Sequence, residues 1–155
     1  MEGSGLADVV RMSRALADEM VEHCLQERPN EACGILAASN GDITKVFRMT
    51  NATRSPVRYA LDPQEQFAAY KKLEESGWDL GGVFHSHTRT EAYPSPTDVR
   101  LASEDVPYVI VSLASDPPSI RAFRILKARL IDADGRIEEA TVVVEEGEGD
   151  GPPDG

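Results

Sequence analysis

Asn40-Gly41 stands between two apolar runs, residues 33–38 and 43–49. A two-residue connection between right-twisted strands needs positive φ at both central positions, which Asn and Gly adopt at least cost. The arrangement therefore predicts an antiparallel hairpin over residues 33–49. Upstream, Leu16, Ala17, Met20, Val21, Cys24 and Leu25 recur at intervals of three and four. They form one face of an amphipathic helix over residues 13–28, with Ser13 as its cap and Pro29 just past its end.

Arg54-Ser55-Pro56 reads as a loop, followed by a short extended piece at residues 59–61. Asp62 then caps a second helix with Pro63 at its first position, where a missing N–H costs nothing, and Phe67, Ala68, Tyr70, Lys71 and Leu73 carry it to Gly77. Residues 80–86 read as a strand in spite of Gly81 and Gly82, whose bare backbones allow another backbone or a ligand to come close. Ser95-Pro96-Thr97-Asp98 starts a short third helix running to about residue 104. Beyond it the pattern is β: residues 108–113, residues 120–126 and, after a hairpin around Asp134-Gly135, residues 140–144. This order predicts an α/β fold, a mixed sheet with helices packed on it.

A chain of 155 residues, 41% of them hydrophobic, has the size of one domain with one core. That domain is expected over residues 1–144. The last eleven residues, EEGEGDGPPDG, hold five acids and no base, so the remainder carries −6 of the formal −11. Such a Gly, Pro and acid mixture cannot bury enough apolar surface to offset its ordering entropy, and a disordered tail is expected over residues 145–155. An acidic body lacks the clustered Lys and Arg that release counterions from a phosphate backbone, so no nucleic-acid partner is expected. No run approaches the roughly 18 to 20 apolar residues of a membrane helix, and MEGSGLADVV lacks the basic and apolar regions of an export signal. The expectation is a soluble, cytoplasmic chain in which Cys24 and Cys33 are two partly buried thiols, not a disulfide.

Two of the three histidines, His85 and His87, are separated by Ser86 at the end of a strand. Strand alternation puts both imidazoles on one face about 6.6 Å apart, and rotation can bring a ring nitrogen of each to about 2.0–2.1 Å from one ion. A catalytic zinc commonly has three protein ligands and one open position, with two His and one carboxylate among the known sets. Asp98, Glu91 and Asp105 compete for the third place. Asp98 is preferred because the first turn of a helix fixes its backbone, whereas Glu91 lies in a loop.

Ser95 and Asp98 also form a Ser-x-x-Asp capping box, which explains both by helix initiation alone. A cap serine can equally turn its hydroxyl into a cleft and hydrogen-bond an oxyanion. Glu31, between Pro29-Asn30 and the apolar run at residue 33, is a candidate general base, and spacing alone does not separate it from a solvated turn carboxylate. Cys33 is a weak candidate nucleophile, because desolvation in an apolar run raises a thiol pKa.

Glu31-Ala32-Cys33-Gly34, then His85-Ser86-His87, seven residues, Ser95, two residues and Asp98 together resemble the JAMM motif of the MPN metalloprotease family. The resemblance spans about residues 13–130. It implies the MPN/JAMM fold, of cytidine-deaminase-like type, with a mixed β-sheet flanked by helices. It further implies one zinc ion per chain held by His85, His87 and Asp98, with Glu31 as general base and Ser95 steadying the oxyanion. Thr88 departs from the commonest pattern, which has Pro after the second His, without removing a catalytic group.

Longer strings look like the Mec-type enzymes of actinobacteria: Arg28-Pro29-x-Glu31-Ala32-Cys33-Gly34, Asn51 with Ser55-Pro56 and Tyr59, and the run from His85 to Ser95 with Thr88 included. That closer resemblance implies hydrolysis of cysteine from the C-terminus of a small ubiquitin-like sulfur-carrier protein, the last step of a cysteine synthesis route. The partner would be the carrier, its flexible glycine-ended tail held extended along an exposed sheet edge, and self-association of the chain stays open. The rival readings are a peptidase for another ubiquitin-like or peptide substrate and a non-catalytic MPN binding module.

Overall fold

The chain's computed structural model describes residues 9–129 and 131–146. Its elements run β1 (Val9–Ser13), α1 (Arg14–Gln26), β2 (Cys33–Ser39), β3 (Asp42–Met49), α2 (Pro63–Ser76), β4 (Asp79–His87), α3 (Pro96–Leu101), β5 (Tyr108–Ser112), β6 (Ser119–Leu126) and β7 (Arg136–Glu145). Most of the expected acidic tail, from residue 147 on, lies outside the described residues.

Local chemistry explains several boundaries. Ser13 Oγ accepts the Leu16 N–H at 3.2 Å and starts α1. Asn40 and Gly41 turn the β2–β3 hairpin at φ 54° and 85°, the positive values that a two-residue turn demands. Asp62 accepts the N–H groups of Gln64 and Glu65, and Gly77 ends α2 in the left-handed region at φ 71°. α3 stops at Leu101, short of residue 104. The N–H groups of Ser103 and Glu104 donate to the Tyr108 hydroxyl instead, each at 3.0 Å.

The seven strands lie in the order β1-β3-β2-β4-β5-β6-β7 and close into a barrel. β1 meets β3 at a single pair, Arg11 opposite Asp42, and runs parallel to β7. The β4–β5 pair is also parallel, and the remaining neighbours are antiparallel. β2 and β5 are buried along nearly their whole length, as strands covered on both faces are. One apolar layer joins Met20 and Cys24 of α1 to Leu36, Phe84, Val109 and Val111; the opposite layer joins Ala69 and Leu73 of α2 to Ile35, Val83 and Tyr108. Gly81 serves this packing, because a Cβ there would lie 2.8 Å from the Ala38 Cβ and 2.9 Å from the Ile43 Cδ1.

Several expectations change. β1 was not foreseen, because its partner β7 lies far along the chain and its own five residues are too few to show a period. Leu25 is 37% exposed and Phe67 73% exposed, so neither belongs to the buried face of its helix. The β6–β7 connection is longer than a hairpin at Asp134-Gly135, since pairing already ends at Leu126 opposite Arg136. β4 is paired on both sides, with β2 and β5, so the strand beside the site offers no free edge to an extended tail.

Candidate metal centre

β4 carries His85 and His87 at its C-terminal end. Pairing with Cys33 of β2 and Ile110 of β5 fixes His85, and pairing with Ser112 of β5 fixes His87. Their exposures are 1% and 4%, so both rings are held inside the molecule. Asp98 reaches the same point from the first turn of α3, where Pro96 sits at the start and Ser95 caps. The capping box is complete: Ser95 Oγ accepts the Asp98 N–H at 3.1 Å, and Asp98 Oδ2 accepts the Ser95 N–H at 2.9 Å. That reciprocal pair pins the carboxylate while its oxygen still faces the histidines.

Three atoms converge. His85 Nε2 and His87 Nε2 are 3.2 Å apart, and Asp98 Oδ2 lies 3.2 Å from the first and 3.0 Å from the second. Tetrahedral ligands at 2.0–2.1 Å from a zinc ion stand about 3.3 Å from one another, so this triangle has the size of a metal face. Its chemistry also fits. The Glu91 carbonyl oxygen lies 2.8 Å from His87 Nδ1 and accepts its proton. In the neutral ring that leaves Nε2 with a lone pair aimed at a carboxylate oxygen, an arrangement that needs a shared cation. Among the described residues, His85, His87 and Asp98 form the one group of three or more side chains placed to hold a metal ion.

The electrostatics favour ligation at His85 and Asp98, whereas at His87 a proton competes for the same lone pair. Burial holds His85 below its ordinary pKa and so favours the neutral, ligating ring. Burial also opposes charge on His87, but hydrogen bonding to Asp98 and Glu91 outweighs it and raises the group. For Asp98, burial pulls upward and the two histidines pull down harder, so the group stays ionised well below the usual carboxylate range.

Glu31 faces the same cleft, a space of about 310 Å³ lined by Glu31, His87, Thr88, Ser95 and the Pro56-Val57 wall. It is 4% exposed, and its Oε1 has no hydrogen-bond partner among the described residues. Burial lifts its pKa from 4.5 to about 8, against a smaller opposing pull from His87. Ser95 lines the cleft half-buried. The rival carboxylates point elsewhere: Glu91 contributes its backbone oxygen only, and Asp105 is an exposed partner of Arg124.

Three supporting residues were not singled out from the sequence as parts of the site. Ser86 turns away from the histidines, and its Oγ accepts the Ala32 N–H at 2.8 Å while its own N–H donates to the Ala32 oxygen at 3.1 Å. Those two bonds tie the segment of Glu31 to β4. Asn51, 4% exposed, donates to the backbone oxygens of Glu31 and Arg58, each at 3.0 Å, and accepts from Thr53 and Ala60. Tyr59 stacks on His85 with ring centroids 4.4 Å apart and an interplanar angle of 22°. The His85 Nδ1 is buried without a partner among the described residues, so this stacking does part of the orienting that a hydrogen bond does for most ligating histidines. A signal for Asn51 existed in Asn-x-Thr ahead of Ser-Pro, a turn-forming string. Ser86 gave none.

His23, the third histidine, is buried in the α1 packing, with Nε2 3.2 Å from the backbone oxygens of both Cys33 and Met49. Cys24 and Cys33 are free thiols, both fully buried.

Comparison with known proteins places this geometry in a family. Residues 13–126 match the model of the prokaryotic homologs of the JAB domain. The chain is 40% identical over 147 residues to the CysO-cysteine peptidase of Mycobacterium tuberculosis, covering 92% of this chain and 95% of the relative. It is 37% identical over 103 residues to a probable TtuB-protein conjugate cleaving protease of Thermus thermophilus, covering 66% of this chain and 69% of that protein. Among solved structures, a Desulfitobacterium hafniense protein superposes with a TM-score of 0.76 at 34% identity, over 88% of this chain and 93% of that one. A JAB1/MPN domain protein of Archaeoglobus fulgidus shares the fold, with a TM-score of 0.54 at 18% identity over 86% of this chain and 99% of that one. A fold match along the chain, a sequence match at 40% and a buried His-His-Asp triangle at the strand end lead to one assignment: the chain belongs to the prokaryotic branch of the JAB-domain family.

Proposed function

We propose that this chain is a zinc-dependent peptidase that hydrolyses the bond between the C-terminal glycine of a small ubiquitin-like sulfur-carrier protein and an attached cysteine. The observation that carries the reading is the triangle of His85 Nε2, His87 Nε2 and Asp98 Oδ2 beside a buried, unpartnered Glu31 carboxyl in one cleft. The 40% identity to a CysO-cysteine peptidase over most of both chains supports this choice of substrate class.

His85, His87 and Asp98 hold the metal, one ion per chain. A zinc ion bound there supplies Lewis acidity and positive charge next to the reacting atoms. Glu31 takes a proton from the attacking water and returns it to the departing amine. Desolvation lifts its pKa to about 8 in the metal-free cleft, and a cation beside it would draw that value back toward the carboxylate, the form that accepts the proton of water. The Ser95 oxygen already accepts the Asp98 N–H, so its own hydrogen is free to donate to the carbonyl oxygen as negative charge develops there. Asn51, Ser86 and Tyr59 position these groups without touching the reacting atoms.

A cytoplasmic setting is part of this reading. It accords with two free thiols and with the lack, among the described residues, of a helix long and apolar enough to cross a membrane.

The test is release of free cysteine from a carrier–cysteine adduct by zinc-loaded protein, with an isopeptide-linked conjugate run beside it. Release from the adduct that disappears in Glu31→Gln is the expected result. Turnover of the isopeptide alone moves the activity to conjugate cleavage, as in the Thermus relative's name. A protein that purifies without zinc and cleaves neither is a binding module.

A further inference from the structure

The surface arginines of this acidic chain mostly sit against carboxylates: Arg11, Arg14, Arg48, Arg121, Arg129 and Arg136 each have an acidic partner within 4 Å. Arg89 differs. It lines the cleft together with Glu31, His87 and Ser95, and no hydrogen-bond or ion-pair partner holds it among the described residues. It is the single cationic side chain on that wall, two positions after a metal-binding histidine.

Its loop is anchored before it, where the Leu113 N–H donates to the His87 oxygen at 2.9 Å, and again after it. The Glu91 oxygen accepts from His87 Nδ1 at 2.8 Å, and the Thr90 oxygen accepts from the Ser112 hydroxyl at 2.6 Å. The guanidinium therefore stands on a fixed loop, at the rim of a water-accessible cleft whose other wall presents Val57, 74% exposed. An exposed guanidinium with no partner among the described residues is open to a planar anion, and its fork binds a carboxylate through two parallel N–H donors.

We propose that Arg89 is the subsite for a free α-carboxylate on the residue that leaves, so that this enzyme reads the end of a chain. The inference rests on the peptidase reading above. When the departing residue is C-terminal, its carboxylate carbon lies two covalent bonds beyond the scissile nitrogen, about 2.5 Å from it. When the departing amine belongs to a lysine side chain, no carboxylate stands there. Arg89 thus favours a terminal amino acid over an isopeptide-linked one, and Val57 offers an apolar contact to its side chain.

The experiment uses two synthetic peptides ending in Gly-Gly-Cys, one a free acid and one a C-terminal amide. Zinc-loaded wild-type protein should show a kcat/KM for the acid roughly 10- to 100-fold above that for the amide, the worth of a charge-assisted hydrogen-bonded pair. Arg89→Ala should remove most of that ratio and Arg89→Lys should keep part of it. An unchanged ratio in Arg89→Ala overturns the assignment.

A binding arm separates this from the activity itself. In the Glu31→Gln background, calorimetry should find the acid bound more tightly than the amide, with the preference lost when Arg89→Ala is added. If wild-type protein hydrolyses neither these peptides nor the carrier–cysteine adduct, the peptidase reading fails. An acid preference in binding that depends on Arg89 then still upholds the carboxylate subsite, and equal affinities overturn it.

Discussion

In the zinc-free protein, Glu31→Gln replaces a buried carboxyl with an uncharged group of the same shape, and its effect on stability should depend on pH in one direction. Burial lifts the Glu31 pKa from 4.5 to about 8, with His87 opposing and Asp98 adding to the rise. In the unfolded chain the group returns to its ordinary value. Between those two values the folded protein keeps a proton that the unfolded chain has released, so this group's contribution to stability falls as pH rises through the window. It is level below 4.5 and again above 8. At 1.36 kcal/mol per pH unit the full gap amounts to about 5 kcal/mol. Solvent along the open side of the cleft reduces this to roughly 2–3 kcal/mol.

Gln does not titrate, so the variant's stability relative to wild type should be flat in acid and rise by that amount to a plateau above pH 8. His85, His87 and Asp98 titrate in both proteins and largely cancel in the difference. Urea unfolding with a chelator present, followed by the fluorescence of Trp78, measures it directly. A difference that does not change with pH, or that shrinks as pH rises, refutes desolvation as the cause. Adding zinc places positive charge near Glu31 and favours its carboxylate, so the plateau should collapse. A plateau that persists with zinc bound would put the ion too far away for the mechanism.

Three further outcomes follow from the same geometry. His87→Ala and Asp98→Asn should each purify with far less than stoichiometric zinc by elemental analysis, and full occupancy in either variant removes that residue from the ligand set. Asn51→Ala should cost about 2–4 kcal/mol of unfolding free energy and lower turnover together, because it leaves the buried Glu31 carbonyl and the part-buried Arg58 carbonyl short of a donor; unchanged stability would show that the loop holds itself. Burial pushes both cysteine thiols up to about 12, so at pH 8 neither should react with a disulfide reagent until denaturant is added, when both should.

What could be read from the sequence is what adjacent residues decide. Ser13, Asn40-Gly41, Asp62-Pro63 and Gly77 announce their own boundaries, since each cap or turn needs a particular residue within a few positions. His85 and His87 share a face because strands alternate, and Ser95 and Asp98 form their box within one helical turn. The unreadable parts depend on distant segments. β1 exists through its parallel pairing with β7, and Leu25 and Phe67 look like core residues only until the sheet shows which helix face it covers. Ser86 is the sharpest case. A serine between two histidines carries no mark of its use, yet its hydroxyl receives the Ala32 N–H and fixes where Glu31 lies.

Glu31 and Asp98 are both buried carboxyls close to the same histidines, and their surroundings drive them in opposite directions. Asp98 receives two imidazoles and the Ser95 N–H, which together overcome its burial and keep it ionised. Glu31 receives no donor at Oε1 among the described residues and yields to burial. The ionised group is suited to hold a cation permanently, because it gives up that charge only at a large free-energy cost. The raised group is suited to move a proton, because desolvation favours its acid form and a cation in the site would favour its carboxylate, so neither state is held outright. Exchanging the two environments would leave the same residues in the same cleft with neither function. The division of labour therefore rests on the hydrogen bonds around each carboxyl: the Ser95 cap on one side, and on the other the Asn51 contact to the Glu31 oxygen and the Ser86 contact to the adjoining Ala32 N–H, which leave the Glu31 side chain without a partner among the described residues.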